Sequence, residues 1–149
     1  DVFTHRILEK ADENVTDYFD GNGGDTLLVD RYPITAVAEL FDDSDREYSA
    51  DTEISSSDYI RYDDEGKIVL DGTVFDDSNK NIKIVYNGGY DSNSVPSDLK
   101  LALIYLTTAI YLLGKGSVNV VEGEGLQDRI GALRSQAFHI LERYKDYRV

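Results

Sequence analysis

The stretch NIKIVYNGGYDSNSVPSDLKLALIYL, residues 81–106, decides how the chain is read. Its first six residues are rich in β-branched side chains and read as a strand. A glycine corner follows at 87–91, where Gly88 and Gly89 are read as allowing φ > 0. Pro96 and Ser97 then mark the entry to a helix, 98–113, DLKLALIYLTTAIYLL. No charge appears in it between Lys100 and Lys115. Its two polar residues there, Thr107 and Thr108, can bond back to the preceding turn, and Gly114 is read as its end. At this length it is read as too short for a bilayer and as a buried helix, with Leu99, Leu103, Leu106, Ile110 and Leu113 as its core positions. Each fully buried Leu or Ile contributes roughly 1.5–3 kcal/mol. A helix that is apolar all round cannot gain that on every face in a small monomer, so the sequence calls for a partner on its second side.

Working outward, residues 26–86 read as β-rich. TLLVDRYPITAVAELF gives two short strands around Tyr32-Pro33, with the proline at an edge or corner. DYIRY, KIVL and NIKIVY follow, separated by acidic turn formers. Asp63-Asp64-Glu65-Gly66 and Asp76-Asp77-Ser78-Asn79 are read as hairpin turns. Upstream, 4–20 reads as a helix, because Ile7/Leu8, Ala11, Val15 and Tyr18/Phe19 fall on one stripe, with Gly21 as its C-cap. Downstream, 126–147 reads as another helix, with a seam of Leu126, Ile130, Leu133, Ala137, Leu141 and Tyr144. The fold class is therefore α+β: a small helical bundle, with helices near 4–20, 98–113 and 126–147, and a β-rich insertion at about 26–90, in one domain over 1–149.

Composition narrows the function. At 149 residues, 41% hydrophobic and 30% charged, the chain is long enough for a real core and is globular. It has no cysteine, which excludes disulfides and thiolate chemistry. Residue 1 is Asp rather than Met, so the N-terminus is expected to be processed or trimmed, and no signal peptide is read. No membrane partner is expected. The net charge of −14 gives no footprint for binding nucleic-acid phosphates. The charge is uneven: from Leu126 to the end the segment is +2, which leaves −16 for the rest. A basic tail on an acidic body suggests two different partners.

No catalytic apparatus is visible. Asp42, Asp43, Asp45 and Glu47 resemble a calcium loop in composition, but lack the glycine and glutamate that an EF-hand needs, so a solvated loop is expected and no metal. His5 and His139 have no evident nucleophile or orienting partner. Neither GNGG at 21–24 nor NGG at 87–89 has the spacing of a phosphate loop, and no cofactor is expected. The eleven tyrosines mark contact surfaces or plain strand propensity. The profile is that of an assembly subunit rather than an enzyme.

Three segments in order carry a resemblance: RYPITAV, DYIRYDDEGKIVL and IKIVYNGGYDSNSVPSDLKLALIYL. The matched positions are Tyr32, Pro33, Ile34 and Val37; Tyr59, Gly66 and Ile68; then Val85, Tyr86, Gly89, Tyr90, Val95, Pro96, Asp98, Leu99 and Lys100. Over roughly residues 5–113 the chain resembles the head–tail connector, or adaptor, proteins of long-tailed bacteriophages. The acidic loop at 42–57 has no counterpart in that pattern, and family members usually carry a further short helix before the one matched at 4–20. The resemblance implies a subunit of a ring, commonly of twelve, beneath the portal in the neck of the virion, assembled in the host cytoplasm. Its partners would be copies of itself, the portal and a downstream stopper or tail protein, with DNA passing through unbound. It implies that the insertion meets a neighbouring subunit through Tyr32, Pro33, Ile34 and Tyr90. It implies portal docking by the tail 143–149, through Arg143, Tyr144, Tyr147, Arg148 and Val149. Two alternatives stand beside it: another neck component, a stopper or tail-completion protein, and an acidic DNA-mimic inhibitor. The mimic would leave the all-apolar helix unexplained.

Overall fold

The computed structural model describes residues 7–116 and 123–145. The fold is α+β, and the chain divides into two compact units: Arg6–Asp91, which is all β, and a helical unit from Ser92 onward.

The β unit has six strands: β1 Val15–Phe19, β2 Thr26–Leu28, β3 Ile34–Asp42, β4 Tyr59–Tyr62, β5 Lys67–Leu70 and β6 Ile82–Gly88. They form two antiparallel three-stranded sheets, in the orders β1-β6-β3 and β2-β5-β4. Alternation explains the burial. Ile82, Ile84 and Tyr86 of β6 turn to the core, as do Ile68 and Leu70 of β5. Leu27, Val29, Tyr32, Ile34, Leu40 and Phe75 complete one cluster shared by both sheets. Burial raises the pKa of the Tyr86 hydroxyl, and its hydrogen bond to the Asp17 carboxylate, at 2.9 Å, adds to the rise.

The first correction concerns 4–20. Its described part contains no helix. Val15–Phe19 is a strand paired with β6, in the register Val15↔Tyr86 to Phe19↔Ile82. Val15 and Phe19 pack on the core, so a period of two wins over the helical stripe. Val, Thr, Tyr and Phe are poor helix formers, and pairing with an apolar neighbour decides the outcome. Gly21 therefore caps no helix. It is small for another reason: a Cβ there would lie 1.9 Å from the Asp76 carbonyl oxygen. At the 87–91 corner only Gly89 has positive φ, at 95°. A Cβ on Gly88 would instead meet the Arg31 carbonyl oxygen at 2.5 Å. Asp63–Glu65 is the expected hairpin turn, a 3-10 turn closed by Gly66 at φ 62°. Asp76–Asn79 is not a hairpin, since it links β5 in one sheet to β6 in the other.

One polar knot holds the unit together. Asn81 is fully buried. Its side-chain oxygen accepts from the Gly21 N–H at 2.7 Å, and its amide donates to Asp42 Oδ1 at 2.7 Å and the Asp76 carbonyl at 2.9 Å. Asp42 Oδ2 accepts from the Asp76 N–H at 2.8 Å. The turn after β1, the end of β3, the start of β6 and the β5–β6 connection thus meet at one side chain. Asn81→Ala would orphan several buried groups, so it is expected to cost about 2–3 kcal/mol in urea unfolding.

The helical unit has two described helices, α1 Ser97–Gly116 and α2 Gly123–Glu142, each of 20 residues. Both expected helices form, with shifted ends. Gly114 lies inside α1, and α2 starts three residues before Leu126. They run antiparallel: Asp98 at the start of α1 meets Arg143 and Tyr144 beyond the end of α2, and Ala102 clusters with Ala137 and Ile140.

Candidate assembly surface

The seam between α1 and α2 is built from small residues. Ala102, Ala109, Ile130, Ala137 and Ile140 are buried, with Tyr105, Leu106, Leu141 and Tyr144 packed against part of this seam. Ala102 and Ala109 are seven residues apart, as are Ile130, Ala137 and Tyr144. That spacing keeps one narrow stripe of each helix toward the other. Of the expected α2 seam, Ile130 and Ala137 are buried, Leu141 and Tyr144 pack against the cluster, Leu126 and Leu133 are half-buried, and Ile140 joins it from outside the expected set.

The α1 core reading needs correction. Leu99 and Leu106 are half-buried, but Leu103 is 65% exposed, Ile110 68% and Leu113 42%. Ile104 and Tyr111, also on the outer side, are 58% and 60% exposed. The physical reason is simple: one neighbouring helix covers one face. The small residues, not the large ones, face it, and Ala102 and Ala109 were overlooked because alanine carries little hydrophobic signal. Their heptad spacing was the available clue. Thr107, on the exposed stripe, returns its hydroxyl to the Leu103 carbonyl at 2.8 Å and so offers little polarity to water. The outcome is an uncharged, largely apolar ridge along α1.

The reading of this helix as too short for a bilayer is also corrected. At 20 residues α1 is about 30 Å long. Its window Ser97–Gly114 has mean hydropathy 1.3, so by length and composition it meets the requirement for a membrane span.

The predicted contact residues divide. Tyr32 and Ile34 are buried in the β core of their own copy, Ile34 at the start of β3 and Tyr32 just before it with its ring against Gly66, so they offer no surface to another subunit. Pro33, after a cis peptide bond, and Tyr90 are half-buried. Arg143 and Tyr144 do not hang free. The Tyr144 hydroxyl donates to Asp98 Oδ1 at 2.6 Å and Arg143 Nη2 sits 3.1 Å from Asp98 Oδ2, closing the end of α2 onto the start of α1. Tyr147, Arg148 and Val149 lie outside the described residues, as does His5. His139 is exposed on α2 beside a groove of about 420 Å³ lined by Leu101, Tyr105, Ser135, Gln136 and Ile140.

The acidic loop after β3 is organised around one carboxylate. Asp43 is buried and accepts from the N–H groups of Asp45 (2.9 Å), Arg46 (3.2 Å) and Tyr48 (2.7 Å) and from the Thr52 hydroxyl (3.2 Å). Burial alone would raise its pKa, but these donors outweigh it and hold the carboxyl below its ordinary value. Its oxygens serve the loop itself. Among the described residues no group of three or more His, Asp or Glu is disposed to hold a metal ion.

No family model matches the chain, and no curated protein matches it. Among solved structures it is similar to a chain from the neck of a native GTA particle, determined with C12 symmetry. The identity is 15% and the TM-score 0.58, over 99% of this chain and 76% of that one. The likeness is one of fold.

Two expectations follow from this geometry. Leu106→Asp places a charge in the seam and is expected to destabilise the chain by about 3 kcal/mol, whereas Ile110→Asp on the exposed ridge should stay within about 0.5 kcal/mol of the parent by thermal melt. The second concerns the Asp98 clasp. The Tyr144 hydroxyl first, then the Leu99 N–H and the Arg143 guanidinium, hold the Asp98 carboxyl below its ordinary value. A lowered folded-state pKa stabilises above the unfolded value and is lost as pH falls through the folded one. Asp98→Asn should therefore be less stable than the parent at neutral pH, and the gap should close as pH drops below about 4. A gap that persists unchanged to pH 2 would contradict the clasp.

Proposed function

We propose that this chain is a structural subunit of the neck of a tailed phage or phage-like particle, and that it assembles as a ring of twelve copies, the symmetry of the neck to which its structural neighbour belongs, joining the head to the tail. The observation that carries the reading is the exposed, uncharged ridge of α1, in a fold shared with a neck chain of C12 symmetry. Such a ridge has reason to exist where another surface covers it.

Charge supports the same reading. Residues 6–91 carry 22 acidic and eight basic side chains, a net −14. Residues 92–149 carry six acidic and seven basic ones, a net +1. Acidic β units repel one another and repel DNA, as suits a channel that DNA crosses without sticking. The near-neutral helical unit is where copies can meet. Within the neck, the reading is the adaptor role beneath the portal, with residues 146–149, beyond the Asp98 clasp, as the docking tail. The ring would extend the DNA channel and meet a stopper or tail protein below.

The test is the mass of the purified chain, alone and mixed with rings of candidate portals, by light scattering and negative-stain microscopy. Ring-on-ring assembly is the expected result. A chain that ignores every portal and instead competes with DNA for a nuclease would replace this reading with DNA mimicry.

A further inference from the structure

We propose that copies of this chain meet head to tail through the helical unit, the α1 ridge of one copy seating in the α1–α2 groove of the next. The proposal rests on the neck-ring reading above and adds to it the two surfaces that make the contact.

A closed ring of more than two copies needs two different, complementary surfaces on each subunit, because a self-complementary patch closes as a dimer. The helical unit has two such surfaces. The ridge is convex and carries Leu103, Ile104, Ile110 and Tyr111, each more than half exposed. The groove is concave, about 420 Å³, with Leu101, Tyr105 and Ile140 in its apolar lining. At 3.6 residues per turn, Leu103 and Ile110 lie about 140–180° around α1 from Leu101 and Tyr105, whereas Ile104 and Tyr111 lie about 60–120° from them, so the Leu103/Ile110 edge of the ridge and the groove occupy opposite flanks of one helix. Contacts on opposite flanks propagate from copy to copy.

A second copy is the occupant that the charges favour. Ridge and groove both lack formal charge, counting His139 as neutral, so neither opposes the other on desolvation. The β unit, at net −14, opposes any contact made through itself. The helical unit also needs the cover. Three of its five buried apolar residues among those described are alanines, a thin core for two 20-residue helices.

The chain has no cysteine, so an engineered pair reports only on the contact it spans. The variant Ile110→Cys with Ser135→Cys, oxidised at several hundred micromolar protein, is expected to give a ladder of covalent multimers beyond the dimer on non-reducing gels. Each single variant is expected to give dimers at most. The same samples are analysed by light scattering before oxidation, which reads ring formation independently of the cross-link. Multimers without a ladder would overturn the ridge-in-groove contact and leave the neck-ring reading standing. A dominant Ile110→Cys dimer equal in yield to the double variant would overturn it in favour of a symmetric pair. Monomers throughout, or partition of the parent chain into phosphatidylcholine vesicles, would overturn the contact, and the vesicle result would assign the ridge to a bilayer.

Discussion

One helix cannot cover another on more than one side, and the helical unit is arranged around that limit. α1 is uncharged from Leu101 to Gly114, and α2 takes only the stripe that contains Ala102 and Ala109. The larger side chains are left outside. Burying a Leu or Ile is worth roughly 1.5–3 kcal/mol, so four or more such residues in water amount to a large unused driving force. The small residues at the seam bring the helices together, and the large residues on the ridge are available to a second surface. The clasp at Asp98 fixes the ends of this pair, so the ridge is presented by a defined scaffold rather than a loose helix.

Charge separates the two units as sharply as secondary structure does. The β unit builds its stability internally: one apolar core shared by two sheets, one buried amide knot at Asn81, and a loop wound on the Asp43 carboxylate. Its acidic side chains remain outside that core, where their like charges repel one another. The helical unit is nearly neutral and internally thin. A division in which one part repels and the other coheres fits the proposed reading of a neck subunit.

Much of this was legible in the residues. Five of the six strands followed from β-branched runs bounded by turn formers, and both described helices from periodicity and the Pro96-Ser97 entry. The strand at Val15–Phe19 was not, because its apolar positions fit a stripe of 3.6 as well as an alternation of two, and only pairing with β6 selects between them. The outer face of α1 was misassigned for a related reason. A helix apolar all round does not say which side its partner takes, and the answer lay in the alanines. Tyr32 and Ile34 read as contact residues from the resemblance, yet both lie in the core, Ile34 at the start of β3 and Tyr32 just before it. The Asn81 and Asp43 knots are long-range polar contacts that no local pattern encodes.

The most direct test of the account is amide hydrogen exchange of the parent chain, followed as a function of protein concentration. The account predicts that amides of α1 and α2 gain protection as concentration rises, while those of β5 and β6 stay constant, since only the helical unit is completed by a neighbour. Protection in α1 that is already high in dilute solution and independent of concentration would contradict it, because the ridge would then need no second copy.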